Sequence, residues 1–327
     1  MHPPCIAVVG GINEDIVFSM PRAPGAGESC PADSMTKHPA GKGANIAMAA
    51  CRARDKLLSP SDRPTAQLRT DKMEVFLNGA IGADEPGSRL LAHLERGGVE
   101  VSRVQVMEGE ATATGIVMLE TAISDSRCFA YHGAVSTWRM PNPGTTACLT
   151  SNGEPDLVVA NLIAPQEEVA KAFTAAAREG VATVLNPLPI QQMNRAIFAN
   201  VTHLMLNQSE AAALRQVDAD SLKAHADWDE ATDFSLRLGV SNVVLTLAAD
   251  GAYYATASGE SGHVEAVQDV QVVDATGAGD SFIGAYAVEY VTQRRLGVRH
   301  TDEAIRSACH AAARTIQHMG AQDDIPD

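Results

Sequence analysis

Short apolar runs recur along this chain, and most are followed by a stretch in which apolar residues return every three or four positions. A run too short for a helix suits a strand buried on both faces, and the helical period after it suits a helix lying across that strand. Repetition of the pair dictates a mostly parallel sheet, because parallel neighbours need a helical crossover. The spacing predicts strands over residues 6–9, 75–81, 157–160, 183–185, 203–206 and 243–247. It predicts helices over 43–54, 86–96 and 167–178, another starting near Ser209, and two long closing helices over 280–292 and 302–317. Two regions, 16–37 and 114–131, alternate with period two instead and read as hairpin strands outside the main sheet. The expected architecture is one α/β domain over residues 1–327, a three-layer αβα sandwich around a mostly parallel sheet with a small β-sheet lid. The polar segment 55–72, with Pro60 and Pro64, is expected as a surface insertion.

The net charge of -15 argues against nucleic acid or an anionic membrane surface as partner, since both need a Lys/Arg footprint. Trp138 and Trp228 have no basic neighbours that would make a stacking platform. An acidic protein can still hold a polyphosphate locally, with backbone amides, a few cations and a divalent metal offsetting its charge. The six cysteines are far apart, with no C-x-x-C pair, and read as free thiols of a reducing compartment. The apolar run before Asn13 is too short for a signal peptide, and no run reaches the roughly 20 residues of a membrane span. A cytoplasmic location is the expectation.

Two glycine turns carry the chemistry. In DATGAGDSF, Gly277 and Gly279 let successive N–H groups converge after the strand-like VQVV, and the helix that follows adds its positive end. Asp280 at the edge of that anion hole could accept a proton from a hydroxyl attacking a bound phosphate. A plain Gly-rich turn capping a helix is the alternative. In AGKGAN, the Gly41-Lys42-Gly43 turn also precedes a helix, with Asn45 one turn in. Asn13 and Asp15 follow the first strand, at the carboxyl end where open parallel sheets bind ligands. Their side chains suit sugar hydroxyls, or they form an ordinary Asx turn. VVGG near the start lacks the third glycine of a dinucleotide fingerprint, which excludes that reading.

VVGGINEDIV, AGKGAN and DATGAGDSF, in this order and spacing, resemble the signatures of ribokinase-type sugar kinases of the PfkB family. Gly320-Ala321-Gln322 resembles the closing stretch of ribokinases. The resemblance implies an ATP-dependent sugar kinase with Asp280 as catalytic base and the Gly277, Ala278 and Gly279 amides as the hole for the transferred phosphoryl group. It implies sugar contacts from Asn13, Asp15, Gly41, Lys42 and Asn45. Asn207 and Glu210 match the N-x-x-E motif that orders Mg²⁺ and the phosphates through water, although Glu210 alone could be a first-turn helix carboxylate. Thr246 and Gly251 match the nucleotide loop. Asp274 and Thr276, with backbone oxygens of Gly320 and Asp324, match the shell of an activating K⁺.

Departures from the family pattern bear on the substrate. Ala40 and Ala248 stand where glycine is usual, and Ile163 stands where ribokinases carry a sugar-holding glutamate. Glu167 and Glu168 lie a helical turn further on. D-ribose, phosphorylated at its primary hydroxyl, is the leading substrate. Another furanose, a ketose or a nucleoside is the alternative, and a non-catalytic sugar or nucleotide sensor is the reading from another class. The exposed edges and apolar faces of the lid imply a homodimer through that region.

Overall fold

The computed structural model describes residues 2–57, 73–123, 125–190, 193–218, 221–222 and 224–322. Nine strands form the main sheet: β1 (Cys5–Val9), β4 (Glu74–Gly82), β5 (Val104–Met107), β8 (Leu157–Asn161), β9 (Ala182–Asn186), β10 (His203–Asn207), β11 (Asn242–Thr246), β12 (Ala252–Thr256) and β13 (Ser261–Val264). Their order is β13-β12-β11-β10-β9-β8-β1-β4-β5, parallel throughout except for the antiparallel β12 and β13 at one edge. A separate four-stranded sheet is built from β2 (Asn13–Met20), β3 (Ser34–Ala40), β6 (Ala113–Glu120) and β7 (Asp125–Tyr131), in the order β3-β2-β6-β7. These four are the strands expected within 16–37 and 114–131, and the β2–β6 pairing that joins the two regions is parallel.

The strand sequences show why helices cover both faces. Along β1 every residue is buried, with Ile6 and Val8 in one apolar cluster and Ala7 and Val9 in the other. Helices α1 (Lys42–Leu57), α2 (Glu85–Arg96), α6 (Ala278–Leu296) and α7 (Thr301–Thr315) pack into the first cluster through Ile46, Leu90, Phe282 and Ile305. Helices α3 (Gln166–Glu179), α4 (Gln208–Arg215) and α5 (His225–Leu236) pack into the second through Phe173, Leu214 and Trp228. None of the helices among the described residues is long and apolar enough to cross a membrane.

One contact fixes the geometry that follows. A Cβ on Gly284, midway along α6, would lie 2.7 Å from the Ala50 backbone nitrogen and 2.8 Å from the Ile46 carbonyl oxygen of α1. The two helices therefore meet backbone to backbone, which holds their N-terminal ends in a fixed relation. Gly284→Val is expected to force them apart and to cost about 1–3 kcal/mol of stability, read as a lower denaturant midpoint at unchanged slope.

The sequence reading fails at VQVV. Residues 270–273 form no strand, and Val272 and Val273 are 64% and 49% exposed. After β13 the chain leaves the sheet, and the Val273 and Asp274 N–H groups both turn to the Ile316 carbonyl just past α7. Lacking a strand partner, the β-branched residues have no pleated surface to fill. Of the expected insertion, residues 55–57 continue α1, and 58–72 lie outside the described residues.

Candidate active site

Glycines press the two N-terminal turns together. A Cβ on Gly41, whose φ is 105°, would sit 2.5 Å from the Gly11 carbonyl oxygen and 2.9 Å from the Asn13 nitrogen. One on Gly43 would sit 2.7 Å from the Gly10 carbonyl carbon. Only residues without side chains allow this approach. It carries Lys42 and Asn45, in the first turn of α1, to the carboxyl end of β1.

There they meet Asp280. Its carboxylate is 4% exposed. Oδ2 accepts a hydrogen bond from Asn45 Nδ2 at 2.8 Å, and Oδ1 lies 3.4 Å from Lys42 Nζ. Asn45 is in turn oriented by Gln322, whose Nε2 donates to Asn45 Oδ1 at 2.7 Å. Arg52 of α1 donates to the Ala321 and Gln322 carbonyls and ties that segment down. Three predicted residues from sites 238 and 235 positions apart thus form one polar chain, buried at Asn45 and Asp280 and partly exposed at Lys42.

The turn before α6 has the shape its sequence predicts. Gly277 is left-handed (φ 78°, ψ 0°), and a Cβ there would collide with Ala321. Its carbonyl accepts from Ser281 N at 2.8 Å and closes the first helical turn. The first amides of a helix have no acceptor in the preceding turn, so this end is a ready anion site. Of the three amides expected to form the hole, that of Ala278 is already directed to the Ala275 carbonyl at 3.3 Å.

Asn13 donates to Asp15 Oδ1 at 2.6 Å, at the start of β2. Burial raises the Asp15 pKa, opposed by His38 and the Asn13 bond. Asn207 and Glu210 form a capping box on α4: Asn207 Oδ1 accepts from Glu210 N, and Glu210 Oε2 accepts from Asn207 N at 3.0 Å. Glu210 is thus a first-turn helix carboxylate, and it is buried. Burial pushes its pKa up, and the Lys42 charge pulling it down and the Asp280 charge pushing it up both reach it. Thr246 ends β11, with its hydroxyl 3.4 Å from the Leu206 carbonyl. Gly251 (φ 87°) passes so close to the Val264 carbonyl that no side chain fits. Ala248, where glycine is usual, is left-handed at φ 51°, a conformation that favours glycine.

Asp274 gathers its predicted neighbours: Oδ1 accepts from Thr276 N and Oδ2 from Gly320 N, both at 2.9 Å. Burial works against ionisation, yet the Thr276 and Gly320 bonds hold this carboxyl below the usual range. Asp324 lies outside the described residues. Ile163 packs on Gly11, where an added Cβ would come within 2.6 Å of Ile163 Cγ2. Glu168 gives no substitute for the missing carboxylate, because it binds Met140 N and Lys171 instead. Sequence reasoning missed Asn186, at the end of β9, which donates to Glu210 Oε2 at 3.1 Å and leaves its own Oδ1 buried without a partner. Its signal was the Asn-Pro step closing an apolar strand.

Residues 5–327 match the family described as pfkB family carbohydrate kinase. The chain belongs to that family. It is 30% identical to a ribokinase of Schizosaccharomyces pombe over 98% of this chain and 94% of the relative. The structure of Arabidopsis thaliana ribokinase complexed with ribose and ATP superposes with a TM-score of 0.83 at 25% identity, covering 100% of this chain and 96% of that one. A Methanocaldococcus jannaschii nucleoside kinase shares the fold, with a TM-score of 0.74 at 17% identity over 99% of this chain and 95% of that one. The chain is accordingly a PfkB-family sugar kinase, a ribokinase-like ATP-dependent phosphotransferase.

Proposed function

We propose that the chain transfers the γ-phosphoryl group of ATP to the primary hydroxyl of a pentose, with D-ribose as substrate and ribose 5-phosphate as product. The observation that carries this is the buried Asp280 carboxylate, held by Asn45 and Lys42 at the mouth of α6. Asp280 takes the proton of the attacking hydroxyl. The hydroxyl oxygen forms the new P–O bond as the bond to ADP breaks, and the amides of Gly277 and Gly279 receive the charge of the phosphoryl group. Asn13, Asp15, Gly41, Lys42 and Asn45 orient the sugar, and Asn207, Thr246 and Gly251 bound the nucleotide. The second sheet closes over them and limits hydrolysis.

Mg²⁺ fits the donor set near Glu210. Among the described residues no cluster of three His, Cys, Asp or Glu exists to cage a metal, and Mg²⁺ commonly keeps its waters and takes one or two carboxylates plus phosphates. Glu210, whose two bonds both fall on Oε2, and the unpartnered Asn186 Oδ1 offer oxygen for that purpose. Mg²⁺ would neutralise phosphate charge. We assign an activating K⁺ to the cluster of Asp274, Thr276 and Gly320, with Asp324, outside the described residues, added on the sequence resemblance alone.

Ile163 favours a second reading within the same chemistry, a kinase of another furanose, a ketose or a nucleoside. A phosphorylation screen over ribose, deoxyribose, ketohexoses and adenosine tests both readings. Ribose is expected to give the highest kcat/KM, and a dominant rate on another acceptor overturns that assignment. Ile163→Glu is expected to raise the preference for ribose by about tenfold, the scale of one added polar contact. Mg-ATP binding without ADP release on any acceptor would establish a sensor instead.

The lid supplies the proposed dimer interface. By strand register, Ile16, Phe18, Met35, Ile116, Met118 and Phe129 share the face opposite Asp15, and Phe129 and Met35 are 61% and 53% exposed. Light scattering at micromolar concentration is expected to give a dimer, and Phe129→Glu a monomer. A monomeric wild type excludes the interface.

A further inference from the structure

A cavity of about 430 Å³ lies at the opposite end of the sheet from Asp280. It is lined by the starts of β10 and β11, at Thr202, His203 and Asn242, by Ser258 just past β12, and by Arg294 and Arg299 at the far end of α6. Along α6, Arg294 lies 14 residues beyond Asp280, roughly 21 Å at 1.5 Å per residue. No family motif reaches it.

Its charge is the reverse of the protein's. The chain carries a net -15, yet the lining holds two arginines and no carboxylate. Both guanidiniums bind neutral acceptors. Arg294 donates to the Gly180 carbonyl at 3.0 Å and the Asp156 carbonyl at 3.4 Å, and Arg299 donates to Asn242 Oδ1 at 2.9 Å. None of these bonds is to a carboxylate, and each guanidinium has further N–H groups to offer. His203 is 3% exposed, with its Nδ1 bonded to the buried Tyr286 hydroxyl at 2.9 Å and its Nε2 without a partner. When the hydroxyl donates to Nδ1, the neutral ring carries its proton on Nε2 and lacks an acceptor. Burial, followed by the charges of Arg299 and Arg294, pushes this imidazole down to about 3, so it stays neutral at physiological pH.

We propose that this cavity is a second ligand site, which takes a small phosphate-bearing molecule through Arg294 and Arg299, with His203 as a neutral donor beside them. Bidentate pairing of guanidinium with phosphate gives the recognition. Ser258 Oγ, which meets Thr256 Oγ1 at 2.9 Å, keeps capacity for a further hydrogen bond to the ligand, whereas the Thr202 and Asn242 side chains are engaged within the fold and shape the wall. The volume exceeds what inorganic phosphate fills and leaves room for an organic moiety.

Nitrogen-15 NMR of the full chain, titrated separately with inorganic phosphate and with glycerol 3-phosphate, tests the proposal and separates the two sources. Saturable shifts are expected at the amides of Asn242, Ser258 and Arg299, apart from any at Gly277 and Gly279. Tighter binding of the ester assigns an organic phosphate, and equal binding assigns the free ion. Arg299→Gln, at an exposed position, is expected to weaken these shifts at least tenfold while leaving those at Gly277 unchanged. Ser258→Trp, which fills the cavity and spares both arginines, is expected to abolish them. Shifts confined to the catalytic turn, or equal affinity in wild type and both variants, would overturn the site.

Discussion

Asp280→Asn is expected to lower kcat about 10³-fold, the usual worth of a positioned general base, while the KM for ATP changes little. The amide has nearly the shape of the carboxylate, and its one oxygen can still accept from Asn45 Nδ2, while its NH2 replaces the oxygen that faces Lys42 Nζ. The loss then belongs to proton transfer rather than to folding. Nucleotide binding by calorimetry and the thermal midpoint should match the wild type. A variant that retains more than a tenth of the wild-type kcat would show that another group removes the proton.

Gly277→Val is expected to lower kcat about 10²-fold, the scale of one misplaced oxyanion donor. The position is left-handed at φ 78°, a region in which a β-branched residue is a genuine outlier. The new side chain would also strike Ala321, the neighbour of Gln322, which orients Asn45. Anion hole and general base would both be displaced. Gly279→Ala is the control, because a Cβ at Gly279 meets nothing within 4 Å and its φ lies outside the left-handed region. That variant is expected to stay within a few-fold of the wild type. Equal losses in both would mean that any added side chain in the turn causes the effect, whatever the backbone conformation at Gly277.

The elements most legible in the sequence were those buried on both faces. The five apolar residues of β1, or the Leu204-Met205-Leu206 run of β10, could scarcely be anything else. Elements at the margins were not legible. The α5 helix buries Ala231, Thr232 and Ser235 beside Trp228, so no apolar stripe marks it. VQVV misled because its β-branched residues reflect no sheet partner. At the site, the glycine turns announced a phosphate cradle, and their spacing let distant residues be assigned to one place. Sequence could not show that Lys42 and Asn45 hold Asp280 itself, since that needs the α1–α6 contact at Gly284. Nor could it show that Asn207 spends its carbonyl oxygen on its own helix. The cavity below β10 was invisible, because its arginines, one in the last turn of α6 and one just past it, have no motif to flag them.

The parallel pairing of β2 with β6 has a mechanical consequence. The small sheet is stitched from two excursions of the chain, one leaving after β1 and one after β5, in register along eight residue pairs. Neither excursion can swing out alone without rupturing that seam. Any movement of this sheet over the cleft would therefore carry all four strands together as one plate. A break in a single outer hairpin would leave the plate intact, whereas a mismatch along the seam would turn one rigid door into two loose flaps.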